Sequence, residues 1–392
     1  MVPRAACLPA GAPVRPMPDA THPSRSRADA AEQKLLGLEL LRFLSAVAVL
    51  VWHYQHFWFV GPELAQNFVR REQPLYPFFH LFYEWGVYGV QVFWFISGYI
   101  FFWKYLGAIG DGRVGAWRFF VLRASRLYPL HLLTFLLVAA LQFAYRAQTG
   151  HFHVYAWNDA YHAVLQLFMA SNWGLEKGSS YNGPIWSVSL EVLAYLAFFV
   201  FARRFGRRGG TSGWVVVTVI ASAISFQLTG VPLFQCLFCF FVGGLAVLWG
   251  RTDVARAHGR AILIASLAWI VGMALAGQAL HLFDRKIVVH LYIVSATPLL
   301  IHLLATHARF PPAWARGLAV AGNTTYSSYL LHFPLQMGFM LAAALTGWRI
   351  PRDEPAFFLA YLGLSIALGV VAFRAFEMPM QNGLRRLAGY QA

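Results

Sequence analysis

Apolar runs of about 17 to 22 residues recur almost end to end along this chain, and a run of that length crosses a hydrocarbon layer about 30 Å thick as a helix. Of the 392 residues, 58% are hydrophobic and only 12% charged. The usual split between a buried core and a charged surface cannot be drawn, so the solvent for most of the surface is lipid. A soluble chain of this length would divide into two or three domains joined by polar linkers. The pattern predicts an all-α, polytopic transmembrane helical bundle of about ten spans, one membrane domain over residues 35–392 behind a short tail.

The formal net charge of +15 does not describe a nucleic-acid-binding face. Lys and Arg sit in short clusters between apolar spans rather than interleaved on one surface, which fits positive-inside topology. Cys7, Cys236 and Cys239 make no disulfide framework. The CxxC spacing of the last two lies inside an apolar span with no second ligand pair, which favours helix packing over metal or redox chemistry.

Residues 1–34 are rich in Pro, Ala, Ser and Arg, without apolar periodicity or a signal-peptide core, and read as a disordered cytoplasmic tail. The first span, near 36–59, has six basic residues at or before its start (Arg4, Arg15, Arg25, Arg27, Lys34, Arg42), which places the N terminus inside. Further spans read near 79–103, 127–145, 186–202, 214–229, 233–249, 261–281, 287–305, 318–345 and 356–373. Alternating loops from an inside start leaves 23 of the 31 Lys and Arg inside and eight outside (Arg70, Arg71, Arg146, Lys177, Arg285, Lys286, Arg349, Arg352). A shift by one span would break this asymmetry, so the C terminus is expected inside as well.

The largest outer loop covers 146–185. Its apolar stretch at 161–173 is short for a span and is expected to be re-entrant or interfacial. His151, His153 and His162 raise a metal site, but no third-ligand pattern accompanies them, and aromatic-belt or solvated-loop roles fit better.

Charged groups at membrane depth cost roughly 2.5 to 3.5 kcal/mol on insertion scales and so require a reason. Arg42 and His53 are eleven residues apart, which returns to within about 20° of one helix face and separates them by about 16 Å along the axis. Snorkelling and interfacial placement explain either alone. Together they put a guanidinium near the cytoplasmic surface and an imidazole deeper in, groups suited respectively to a phosphate or acyl carbonyl and to a hydroxyl proton. Glu39 is placed to pair with Arg42.

Ser97 and Gly98 interrupt the second span, where small residues allow close helix approach or open a polar groove. Arg118, Arg123 and Arg126 precede Tyr128-Pro129, read as a helix start. Arg123 and Arg126 share a face that can grip a phosphorylated donor or anionic lipid. In Trp186–Tyr195, Ser187, Glu191 and Tyr195 form a stripe whose carboxylate must point inward to a partner. Ser328 and His332 stand at i, i+4 in Thr325–Pro334, and Glu377 beside Arg374 reads as an interfacial ion pair.

Taken in order after residue 34, these segments resemble the acyltransferase-3 family of integral membrane O-acyltransferases. Its first-helix pattern matches Glu39, Arg42 and His53, with Glu39 where Asp is usual and Phe43 where a small residue is usual. The GVxxFFxxSGF-like helix matches Gly89 to Tyr99, the RxxR pair Arg123 and Arg126, and WSLSxE Trp186 to Glu191. SxYLLHxP matches Ser327 to Pro334, and the final EKP-like element Glu377 to Pro379.

The resemblance implies transfer of an acyl group, most often acetyl from acetyl-CoA, to a sugar hydroxyl of an exopolysaccharide, O-antigen or other glycan. The acyl-CoA would be a co-substrate rather than a tightly bound cofactor, and the setting the bacterial inner membrane. On that expectation His53 is the general base or a transient acyl carrier, and Arg42 orients or polarises the thioester carbonyl. Arg123 and Arg126 bind CoA phosphates, and Glu191 orients a polar partner. Glu39, Ser97, Trp186, Ser187, Ser328 and His332 line the cavity. Other readings are a glycan or lipid-linked sugar transporter, opposed by the lack of an internal repeat or paired broken helices, and a non-catalytic sensor, which leaves the Arg42–His53 spacing without purpose.

Overall fold

The structure, a computed structural model, describes residues 25–207 and 209–390. Helix α1 runs Arg25–His53, so helix already occupies 25–34 of the stretch expected as tail; residues 1–24, with Cys7, lie outside the described residues. The following helices are α2 (Tyr76–Trp85), α3 (Gly89–Gly110), α4 (Ala116–Thr149), α5 (Ala160–Leu167), α6 (Trp186–Phe205), α7 (Thr211–Thr229) and α8 (Pro232–Trp249). They continue with α9 (Asp253–Ala257), α10 (Gly259–Ala279), α11 (Lys286–Thr306), α12 (Pro312–Asn323), α13 (Thr325–Thr346), α14 (Pro355–Ala372) and α15 (Met378–Leu387). Among the described residues the only sheet is a two-stranded hairpin pairing Phe59–Val60 with Glu63–Leu64.

Among the described residues ten helical segments are long and apolar enough to cross a membrane, which bears out the all-α polytopic bundle. An even number of crossings puts the two ends of the bundle's chain on one side. The basic helix ends gather there, as the charge alternation requires: Arg207 pairs with Asp111 at 3.3 Å, and Arg203 donates to the Ile109 carbonyl at 3.4 Å.

Two expected boundaries shift. The third crossing begins at Ala116 and carries Pro129 in its interior, so Arg118, Arg123 and Arg126 stand on a helix rather than in a loop. A proline inside a helix removes one i−4 hydrogen bond without ending it when surrounding packing holds both sides; here the Tyr326 hydroxyl donates to the Leu127 carbonyl at 2.7 Å. The stretch expected as a single span over 318–345 divides at Thr324 into α12 and α13. The 161–173 stretch yields only the eight-residue α5, too short to cross.

The centre of the bundle is α3 against α8. A Cβ at Gly98 would overlap the Phe240 carbonyl oxygen, and one at Gly243 the Phe95 carbonyl oxygen. Reciprocal glycines thus bring the two backbones into contact, the usual device for helix association in lipid. Around that seam Phe101, Phe102, Tyr195, Phe198, Phe240 and Phe241 interlock edge to face and stacked, and Cys236 and Cys239 are buried in the same packing. This rigid block fixes the faces of α3 and α6 that carry Ser97 and Glu191.

Candidate active site

Two polar clusters lie inside the bundle, one above the other. The outer cluster is built on the last residue of α1, His53, and on His332 of α13. Their rings are nearly parallel (8°), and Nδ1 of His53 lies 2.9 Å from Nε2 of His332. His332 Nδ1 faces the Tyr329 carbonyl oxygen at 2.5 Å. A carbonyl only accepts, so this nitrogen carries the proton, and in neutral His332 Nε2 is a bare acceptor. His53 Nδ1 must then be the donor, which leaves the lone pair of His53 Nε2 free. That atom makes no hydrogen bond and is not sealed off, in a ring only 7% exposed.

Several contacts hold this pair. Gln336 donates to the His53 carbonyl at 3.0 Å, and the Tyr361 hydroxyl to the His332 carbonyl at 3.3 Å. Tyr329 OH donates to the Pro184 carbonyl at 2.7 Å and lies 3.0 Å from the Ser187 hydroxyl. Ser187 therefore fastens the start of α6 to the helix bearing His332. Trp186 meets Trp94 edge to face at 5.8 Å, and Trp94 donates to the Ser187 carbonyl. Both residues act here as braces.

The inner cluster contains Arg42, Arg126, Glu191 and Glu377. Arg42 pairs with Glu39 at 3.2 Å, as the spacing predicted, and the Glu39 carboxylate lies against Gly322, where no Cβ fits. Ser97 donates to Glu191 Oε1 across the α3–α6 interface. Arg42 and Arg126 are the charged neighbours of both Glu191 and Glu377. Yet no carboxylate lies within 4 Å of Arg126 among the described residues. Arg123 turns elsewhere, donating to the Tyr105 hydroxyl at 2.9 Å with its guanidinium over the rings of Phe101 and Tyr105.

Two sequence expectations are corrected. Glu377 does not pair with Arg374: it is 1% exposed and accepts from Ser327 at 2.5 Å. The cause is a π-helical turn at Phe373–Glu377, which re-aims the side chain into the bundle while Arg374 stays outside. Ser328 does not line the cavity; its hydroxyl returns to the Thr324 and Thr325 carbonyls, and its Cβ lies against Gly369. Ser327, one residue earlier, takes the polar position.

Residues that sequence reasoning did not single out also surround the dyad. His56 stacks on His53 at 4.8 Å, and Tyr155 packs on Phe333 at 4.8 Å. In the outer loop, His153 is clamped by Gln142 on both its N–H and its carbonyl, and burial takes its imidazole down to about 3. His162 instead binds Asp159 at 2.7 Å, and the backbone and side-chain hydrogen bonds from His162 hold that carboxyl below its ordinary range. Repeated His in an outer loop was the one available signal for this cap.

Geometry also limits Arg42. Because α1 is continuous between them, the two Cα atoms are about 16 Å apart along the axis, and the Arg42 guanidinium turns back to Glu39, away from His53. One thioester carbonyl cannot be held by Arg42 while its attacking hydroxyl touches His53. On α13, Ser327 and His332 are only about 7.5 Å apart along the axis, so this one helix contributes a residue to each cluster.

A polytopic helical protein with a buried imidazole pair above a cluster of arginines and carboxylates has the polar interior of a membrane-embedded enzyme. Residues 35–374 match the acyltransferase domain of the acyltransferase-3 family, and the chain belongs to that family. Acyltransferase MdmB of Streptomyces mycarofaciens is 24% identical over 387 residues, which cover 90% of this chain and 93% of that protein. No solved structure matches the chain. The protein is thus an integral multi-pass membrane O-acyltransferase, and neither the transporter nor the sensor reading accounts for the match.

Proposed function

We propose that this enzyme moves an acyl group, acetyl in the simplest case, from an acyl-CoA on the basic, cytoplasmic side to a sugar hydroxyl of a glycan presented from the other side of a bacterial inner membrane. The observation that carries the reading is the His53–His332 hydrogen bond, whose fixed tautomers leave His53 Nε2 bare.

Direct transfer makes that nitrogen the general base. The acceptor oxygen bonds to the thioester carbonyl carbon as its proton passes to Nε2, and collapse of the tetrahedral adduct breaks the C–S bond, the thiolate leaving with that proton. In the acyl-enzyme route the same lone pair bonds to the carbonyl carbon and the C–S bond breaks to release the thiolate; the acceptor oxygen then takes the acyl group as the N–C bond breaks, its proton passing to the thiolate. Both routes place the thioester at His53. The CoA phosphates then belong at Arg123 and Arg126 of the basic end, and the extended pantetheine arm passes Arg42, Glu191 and Glu377. In this arrangement Arg42 guides the donor along the path instead of polarising its carbonyl.

His53→Ala is expected to abolish acyl transfer from radiolabelled acetyl-CoA in isolated membranes, with unchanged membrane insertion. Full activity in that variant would falsify the central assignment. Label that remains on the denatured wild-type chain before acceptor is added identifies the acyl-enzyme route. Loss of a mass increment of about 42 Da, one acetyl group, from surface glycans of a deletion strain would name the acceptor.

A further inference from the structure

We propose that α15 completes the donor site: Arg385, with Arg123 and Arg126 of α4, forms a three-guanidinium cradle for the phosphate groups of the acyl donor. This rests on the donor being an acyl-CoA. Arg385 lies beyond the residues 35–374 that match the family, so the match itself assigns it no part.

Its position is well defined. Arg385 Nε donates to the Ser125 hydroxyl at 3.2 Å and Nη2 to the Leu122 carbonyl at 3.5 Å. The guanidinium therefore lies along α4 beside the two residues that immediately precede Arg126 and Arg123. Gln381, with its amide oxygen turned toward the guanidinium, braces it from the same helix. Arg123 and Arg126 both act electrostatically on Arg385, and Tyr105 holds Arg123 from the α3 side.

None of the three has a carboxylate within 4 Å among the described residues. Glu191 and Glu377 act on Arg126 from the bundle side, but the three guanidinium groups still repel one another, and the arrangement is relieved when an anion enters. Arginine is the side chain that matches phosphate through paired N–H donors. Tacking α15 onto α4 needs only a hydrogen-bond donor; it does not call for a cation next to two others.

The test is equilibrium binding to the purified full chain in phosphatidylcholine nanodiscs, with coenzyme A, dephospho-coenzyme A and pantetheine as probes. Arg385→Ala should weaken coenzyme A about tenfold, the scale of one charge-assisted hydrogen bond, and leave pantetheine unchanged. Arg385→Lys should recover part of the loss. Arg386→Ala, which removes the same charge from an exposed neighbour, should change the binding of none of the three.

Equal weakening of coenzyme A and pantetheine by Arg385→Ala would mean a structural role and overturn the cradle. So would an unchanged coenzyme A affinity, or an effect confined to binding of phosphatidylglycerol vesicles, which would assign the arginines to lipid headgroups. A wild-type protein that binds no coenzyme A overturns the donor assignment above and the cradle with it. Normal wild-type binding that Arg385→Ala leaves intact overturns the cradle alone.

Discussion

At the scale of single residues the mechanism turns on which nitrogen holds which proton. The Tyr329 carbonyl fixes His332, and His332 fixes His53, so in the proposed mechanism His332 is a positioning residue acting through His53. His332→Ala removes the acceptor for His53 Nδ1–H and lets both tautomers and other ring orientations populate. A loss in kcat on the order of 100-fold is expected with KM for the donor unchanged, within the range of about 10²- to 10⁴-fold that a general base contributes. His332→Gln, whose amide oxygen can accept the same proton, should recover a substantial part. Steady-state kinetics of the two variants check this, and equal kcat in His332→Ala and wild type would refute the relay. The face shared by Arg42 and His53 is legible in the sequence because helical periodicity relates residues eleven apart. The contact between His53 and His332 is not, since 279 positions separate them and no local pattern encodes a tertiary hydrogen bond.

At the scale of helices, close approach and local irregularity decide where the polar groups point. Gly98 and Gly243 let α3 and α8 touch backbone to backbone, and this seam sets the face of α3 from which Ser97 reaches Glu191. Gly98→Ala would force the helices apart, with a destabilisation of about 1 to 3 kcal/mol as for other overpacked positions. Gly107→Ala, on the same helix with nothing within 4 Å of the new Cβ, should instead be neutral or stabilising by up to about 1 kcal/mol. Thermal unfolding of the two detergent-solubilised variants provides the comparison, and equal midpoints would remove the packing argument. That small residues mark a close approach is readable from the span itself; the partner helix is not. Nor is the π turn at Phe373–Glu377. Adjacency in sequence pairs Glu377 with Arg374, whereas the extra residue in the turn sends Glu377 inward to Ser327. Pro129 misleads for a related reason, because local preference alone makes it a helix start while packing on both sides carries α4 through it.

At the scale of the whole molecule, orientation in the membrane decides which substrate meets which cluster. The ten crossings follow from run length and hydropathy alone, and for that reason they are the part of the fold most completely legible before any coordinates. Sidedness rests on charge: with an inside start, 23 of 31 Lys and Arg fall inside, and the insertion machinery retains such loops on the cytoplasmic face. In the proposed function Arg123, Arg126, Arg385 and the Arg42–Glu39 pair then face the compartment assigned to acyl-CoA, and the loop with His153 and Tyr155 faces the one assigned to the acceptor. A fluorescent protein fused after Ala392 should fluoresce, because it folds in the cytoplasm, while a phosphatase active only outside the cytoplasm should be active when joined after Gly150 and inactive after Gly209. The reverse pattern would place the basic end outside, away from any acyl-CoA, and the path from Arg126 to His53 would then run from the wrong compartment. The reporter measurement therefore tests the direction of transfer without assaying the chemistry.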